Sequence, residues 1–257
     1  MNELEKYYNK FNEDKRLLSR HGQVEFFVAM HYIHEMIGNR KELDIIDIGA
    51  GTGRYSVALA EEGHNLTAVE LVNKNVSQIK MKNDKIVAKQ GNALNLKKFK
   101  DESFDIALLF GPTYHLISHE EKLQAILEAK RVLKKGGKLL IMYLMNEYAV
   151  ITYAFKEGNL QSCLKNGKLD ENFQTITNEK DLYSYVRLEE INKLQEESKM
   201  KRVKIIGVDG ATDYIRPVIN KLSNEDFEIY KKYQLSICER PELMGASSHI
   251  MDILEKV

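Results

Sequence analysis

The chain has no tryptophan, only three prolines and only two cysteines in 257 residues. Cys163 and Cys238 stand far apart with no Cys-x-x-Cys pattern. That argues against a structural zinc site or a disulfide scaffold, so no metal is expected and a reducing cytoplasm is the expected compartment. The scarcity of proline leaves long stretches free of the residue that breaks helix interiors. No window approaches about 18 uncharged apolar residues, so no membrane span is expected. The opening residues, Met1 to Lys6, carry no apolar core of a secretory signal. Neither charge is in excess: 38 Lys and Arg balance 38 Asp and Glu. A dedicated nucleic-acid binder needs a basic field to displace counterions from phosphates, so nucleic acid is not an expected partner. With 43% hydrophobic and 30% charged residues the chain reads as globular. Its length suits one large domain, as a monomer or homodimer.

What is present is an alternation of two periodicities. Leu4, Tyr7, Tyr8 and Phe11 recur at helical spacing. A break is expected at Ser19-Arg20-His21-Gly22, then a second helix carrying Phe26, Met30, Ile33 and Ile37 and ending at Gly38. From Leu43 the pattern becomes short apolar runs separated by helices. Strands are expected at 43–48, 65–70, 85–90, 104–110 and 138–143, with helices at 54–62 and 75–81. Ser118 and Glu121 form a capping box for a further helix, whose buried face would carry Leu123, Ile126, Leu127 and Leu133 before Gly136-Gly137 ends it. Alternating strand and helix with short connections predicts a doubly wound α/β fold with a mostly parallel sheet. Later segments predict a helix at 187–197, a strand at 203–208, helix over 212–239 with a second capping box at Ser223–Asp226, and a closing strand at 246–254. The division is a helical cap at 1–38, a core at 39–145, and insertions at 146–186 and 209–243, neither of which has enough apolar residues for its own core.

The informative segment is Asp47-Ile48-Gly49-Ala50-Gly51-Thr52-Gly53, which leaves a strand and enters a helix. Glycines there let the backbone turn sharply and approach a ligand, and the helix start presents free amide N–H groups. In the dinucleotide fingerprint the third glycine falls where Arg54 stands; here it comes one residue early, at Gly53. The Gly-Lys-Ser/Thr of a phosphate-binding P-loop is missing. Glu70 ends the second strand about 20 residues after Gly49, where a carboxylate can accept both hydroxyls of a ribose.

The run from Asp47 to Gly53 resembles motif I of the class I S-adenosylmethionine-dependent methyltransferases. The likeness continues through Glu70-Leu71, Gly91-Asn92-Ala93, Phe104 to Phe110 with Gly111-Pro112-Thr113-Tyr114-His115, and Arg131 to Gly137. Five motifs in order span residues 43–143. The resemblance implies a seven-stranded sheet of order 3-2-1-4-5-7-6 with its last strand antiparallel, and S-adenosylmethionine as cofactor, leaving as S-adenosylhomocysteine. It implies cofactor contacts from Asp47, Gly49, Ala50, Gly51 and Gly53, from Glu70 and Leu71, from Asn92 and Ala93 at the adenine, and from Phe110 and Gly111. Asn92 stands where the family often has Asp; its amide oxygen can still accept one hydrogen bond. Tyr7-Tyr8 and Arg20-His21-Gly22 look like those of bacterial small-molecule members; Tyr7, Tyr8 and Arg20 would fold over the cofactor as a lid, or else the tyrosines serve helix packing and Arg20 is a solvated charge.

Methyl transfer asks chiefly that donor and acceptor be held in line, and a base is needed only where the acceptor carries a proton. His115 follows the fourth strand and titrates near neutrality, which makes it the candidate base. Tyr114 would line the acceptor pocket. Tyr183 and Tyr185 share one face of a presumed strand and either line that pocket or cover the sheet. Nucleic-acid amino methyltransferases carry Asn/Asp-Pro-Pro-Tyr where this chain has Gly111-Pro112-Thr113-Tyr114, without the Asn or Asp that grips a base. The expected activity is methyl transfer to an O or N atom of a small molecule. The rival readings are an RNA or protein methyltransferase, a non-catalytic cofactor-binding protein, and a nicotinamide oxidoreductase disfavoured by Arg54.

Overall fold

Each apolar run of the sequence becomes a strand, and each amphipathic segment between two runs becomes a helix that returns the chain to the same end of the sheet. The computed structural model describes residues 18–179 and 181–257. Helix α1 (Arg20–Ile37) leads into β1 (Asp44–Ile48), α2 (Arg54–Glu61), β2 (Asn65–Glu70), α3 (Asn73–Lys82), β3 (Val87–Gln90) and β4 (Phe104–Leu109). A 3-10 turn (Pro112–Tyr114), α4 (His119–Val132) and β5 (Leu133–Leu144) follow. Beyond β5 come α5 (Asn146–Ala149), a π-helical stretch (Val150–Lys156), α6 (Leu160–Lys165), α7 (Leu188–Ser198) and β6 (Lys201–Gly207). The chain closes with α8 (Arg216–Ile219), α9 (Asn224–Ile237), α10 (Pro241–Met244) and β7 (His249–Glu255). The sheet has seven strands in the order β3-β2-β1-β4-β5-β7-β6, as the resemblance implied. Strands β1 to β5 pair in parallel. Strand β7 runs antiparallel to both β5 and β6. Among the described residues no helix is long and apolar enough to cross a membrane.

The period of two along each strand decides the core. Ile45, Ile106, Leu108, Leu140 and Met142 pack with α1, α2 and α3 on one face. Their neighbours Ile46, Ala107, Leu109, Leu139 and Ile141 pack with α4 and α7 on the other. Each fully buried Ile, Leu or Met among them stabilises by about 1.5–3 kcal/mol. A slip of one residue would exchange the two faces, so register is firmly set. Every parallel strand therefore ends at one edge, and β7, running the other way, begins there: His249 pairs with Leu144.

Several local expectations need correction. Arg20-His21-Gly22 is the first turn of α1, not a break, because the Ser19 hydroxyl caps it by accepting from Gly22 N. Helix α4 ends at Val132, before the glycines, because Leu133 already pairs with Phe104. Leu127 is 39% exposed, so it lies off the buried face. Among the described residues the 182–186 segment forms no strand; an isolated bridge joins Val186 to Met145. The 212–239 stretch divides into α8 and α9. At Ser223 half of the capping box forms: its hydroxyl accepts from Asp226 N at 3.0 Å, while the short Asp226 carboxylate meets that hydroxyl, not the cap backbone. The helix expected around Leu4, Tyr7, Tyr8 and Phe11 lies outside the described residues.

Candidate functional site

The loops at the carboxyl ends of β1, β2 and β4 surround a cavity of about 540 Å³, which is where open α/β sheets hold ligands. The glycine loop forms one wall. Gly49, Gly51 and Gly53 have φ of 76°, 55° and 83°, a region that side chains other than glycine rarely occupy. Two of these glycines make room for protein. A Cβ on Gly49 would fall on the ring carbons of Pro112, and one on Gly53 would come within 2.7 Å of Ile79 Cγ1. The loop is thereby locked against the turn after β4 and against α3. The N-cap of α2 is Gly53, which has no side chain of its own to cap the helix.

Glu70 closes β2 and is buried, 7% exposed. Its carboxylate accepts from Gly51 N at 2.9 Å and Val72 N at 2.9 Å, with a longer bond of 3.4 Å from Asn75 Nδ2. Burial raises its pKa, and these donors only partly offset that. Asp47, near the end of β1, is 3% exposed and accepts from the Ser56 hydroxyl at 2.6 Å. Burial pushes its pKa up to about 6, the Ser56 bond pulls it down, and the nearby Glu70 charge adds to the rise. Two adjacent strands thus place two costly carboxylates beside one cavity.

Leu71, Asn92, Ala93, Phe110 and Gly111 all line the cavity, as do Gly49, Ala50 and Gly51. The Asn92 side-chain oxygen accepts from Leu94 N at 2.9 Å, an Asx turn that fixes the loop after β3. Phe110 stacks edge-on against Tyr55, with ring centroids 5.0 Å apart, and Tyr55 lies 5.1 Å from Phe26 of α1. Gly53 supports the loop without lining the cavity. Arg20 is placed elsewhere. Its guanidinium donates to Ile219 O at 3.1 Å and Asn224 Oδ1 at 3.1 Å and sits 4.8 Å over the Phe227 ring, pinning α1 to α9. His21 and Glu25 of the same helix reach the cavity instead. Tyr8 lies outside the described residues.

Tyr114, His115, Tyr183 and Tyr185 all line the other half of the cavity. His115 Nδ1 lies 2.7 Å from Leu182 O, so Nδ1 carries the hydrogen and Nε2 is the basic nitrogen of the neutral ring. Burial lowers the His115 pKa and the Leu182 carbonyl partly restores it. Ser184 N donates to Tyr114 O at 2.6 Å, which holds the 182–185 segment on the turn after β4 and points both tyrosines the same way without a strand. Sequence reasoning missed Tyr148, Asp209, Asp213, Arg216, Ser248 and His249, which complete this half. For Asp209 and His249 a signal existed: an antiparallel last strand must start where the strand beside it ends.

A methyltransferase domain family model matches residues 46–141. A demethylmenaquinone methyltransferase of Lactiplantibacillus plantarum is 33% identical over 109 residues, 38% of this chain and 44% of that protein. An uncharacterized protein of Methanocaldococcus jannaschii is 26% identical over 147 residues, 55% of this chain and 61% of that protein. The chain therefore matches less than two thirds of the length of these curated relatives. Among solved structures, an S-adenosylmethionine-dependent methyltransferase of Thermotoga maritima superposes with a TM-score of 0.60 at 21% identity, covering 98% of both chains. One from Methanosarcina mazei gives 0.59 at 17% identity, covering 88% of this chain and 97% of its own. The fold is that of the class I, Rossmann-like S-adenosylmethionine-dependent methyltransferases.

Proposed function

We propose that the chain is an S-adenosylmethionine-dependent methyltransferase acting on an O or N atom of a small molecule. The observation that carries this reading is the pair Asp47 and Glu70, both buried beside the positive-φ glycine loop. A dinucleotide would bring its anionic pyrophosphate to the glycine loop, beside Asp47, a carboxyl that burial already holds back from ionising. S-adenosylmethionine brings an ammonium and a sulfonium, and a cation within reach favours the ionised form of both acids. The residues therefore fit that cofactor: Asp47 with the glycine loop for the ammonium of the amino-acid end, Glu70 for the ribose hydroxyls, and Leu71, Asn92 and Ala93 for the adenine. When bound, the cofactor supplies a methyl group on a sulfonium that leaves as a neutral thioether.

The chain's own task is orientation and exclusion of water. Tyr114, Tyr183 and Tyr185 present amphipathic faces to the acceptor half, and His115 fixes the loop that carries two of them. Residues from 146–186 and 209–243 close that half as a substrate cap, which suits a small acceptor better than a polymer. Calorimetry with S-adenosylhomocysteine, S-adenosylmethionine and NAD tests the cofactor. Both sulfur nucleosides are expected to bind in the micromolar range, about −8 kcal/mol, and NAD far more weakly. S-adenosylmethionine affinity should also rise as the pH passes about 6, where Asp47 ionises. Tighter binding of NAD would end this reading.

A further inference from the structure

The cavity holds a second histidine in surroundings unlike those of His115. Asp209 lies just past β6, and His249 opens β7. The Asp209 carboxylate, 5% exposed, accepts from His249 N at 2.9 Å, from Ser247 Oγ at 2.9 Å and from the Ser248 hydroxyl. His249 Nδ1 stands 2.6 Å from its Oδ2. Burial alone would push the Asp209 pKa up, but the His249 charge and these donors outweigh it and hold it down at about 2. An ionised carboxylate can only accept, so Nδ1 carries the hydrogen and Nε2 is the basic nitrogen. When Nε2 takes a proton, the imidazolium is balanced at contact distance. His115 faces a neutral carbonyl instead, which orients a ring but does not offset a full charge.

We propose that the Asp209–His249 pair receives the acceptor's proton, and hence that the acceptor is a hydroxyl or amino compound whose nucleophilic atom carries a proton at neutral pH. This rests on the methyltransferase reading. The acceptor's lone pair forms the bond to the methyl carbon, the carbon–sulfur pair stays on the donor's sulfur, and the acceptor's proton moves to His249 Nε2. The imidazolium then passes that proton to water. Asp209 is a positioning residue: it sets the tautomer of His249 and stabilises its charged form. Among the described residues, the groups that face this pair include Tyr114, whose ring lies 5.6 Å from that of His249, and Tyr148, Tyr214 and Tyr230, which feel the Asp209 charge. Asp213 lies close by, tied to Arg216 and to the Tyr148 hydroxyl.

The test uses the full chain. Histidine Cε1–H resonances are followed by NMR against pH and assigned with His249→Gln and His115→Gln. His249 should titrate above His115, and Asp209→Asn should lower the His249 pKa by about 1–3 pH units. Single-turnover transfer of labelled methyl from S-adenosylmethionine to a series of phenols and anilines supplies the second readout. His249→Gln should slow transfer to un-ionised phenols by about 10²–10⁴-fold and have a far smaller effect on acidic nitrophenols that are already ionised. A His249 that titrates at or below His115, an Asp209→Asn variant with unchanged titration, or an equal penalty for ionised and un-ionised phenols would each overturn the proposal. A wild-type protein that methylates neither series would overturn the acceptor class. S-adenosylhomocysteine binding, measured in parallel, separates the two readings: its absence in the wild type removes the methyltransferase reading, while its retention in His249→Gln shows that the cofactor half is intact.

Discussion

The two halves of the cavity are built in different ways. The cofactor half comes mainly from short loops that follow β1, β2, β3 and β4, so most of its residues lie within one stretch, 47–111, with His21 and Glu25 added from α1. Its chemistry is carried largely by backbone: positive-φ glycines, and the Gly51 and Val72 amides that hold Glu70. The acceptor half joins residues from the turn after β4, the segment before α7, the loop after β6 and the start of β7. Its chemistry is carried by side chains, above all the histidines and tyrosines. A ligand common to many enzymes can be met by a local backbone device. An acceptor peculiar to one enzyme is met by side chains on connections that are free to vary.

On cofactor affinity, substitution in the half around the glycine loop should give the largest effect. On the proposed reading, Glu70→Ala removes two charge-assisted acceptors for a ribose, and it leaves the Gly51 amide and the buried Val72 amide unmatched. At about 1.5–3 kcal/mol per charged hydrogen bond, the affinity for S-adenosylhomocysteine should fall more than a hundredfold. An unchanged dissociation constant by calorimetry would remove Glu70 from the site and erase the distinction between the halves.

A second substitution separates binding from stability within the same half. The folded-state pKa of Asp47, about 6, lies above its ordinary value of 3.8. A carboxyl raised in this way favours the fold below its unfolded pKa, and that advantage is lost as the pH rises through the folded pKa. The full penalty therefore applies above about pH 6. Asp47→Asn should abolish it and stabilise the ligand-free protein at neutral pH by up to about 3 kcal/mol, since each pKa unit is worth about 1.4 kcal/mol. The same variant should bind S-adenosylmethionine more weakly. Denaturant melts at acid and neutral pH would show the gain fading as the pH falls; a variant less stable than wild type at neutral pH would refute it.

The smallest effect is expected at His115. His115→Ala loses the bond to Leu182 O, a net cost of about 0.5–1.5 kcal/mol. The melting temperature should fall by only a few degrees, S-adenosylhomocysteine affinity should hold, and methyl transfer should drop severalfold because Tyr183 loses its neighbouring ring, 5.3 Å away. A loss as large as that expected for His249→Gln would return the base role to His115.

The cofactor half was legible in the sequence because its signals are contiguous. Asp47 to Gly53 sits at one strand end, and Glu70 follows at the next. The Ser118 cap was legible for the same reason, since both of its partners lie within four residues. The acceptor half was read only in part. Tyr114 and His115 follow β4 directly, and Tyr183 and Tyr185 do reach the cavity, although a hydrogen bond from Ser184 N, not a strand, presents them. Arg20 was read as a lid or a solvated charge and is neither: its partners, Ile219 O and Asn224, lie about 200 residues on, where no local signal points to them.

Periodicity and spacing alone determined the α/β alternation and the glycine turn, because hydrogen bonds between near neighbours and the burial of one face act over a few residues. The resemblance of the motifs added the strand order. Only the tertiary structure decided that Gly49 makes room for Pro112, that Arg20 holds α9, and that Asp209 meets His249. Those contacts depend on which strand ends share an edge. That in turn depends on β7 running antiparallel between β5 and β6, so that its first residue falls beside the last turn of a chain segment 40 residues away.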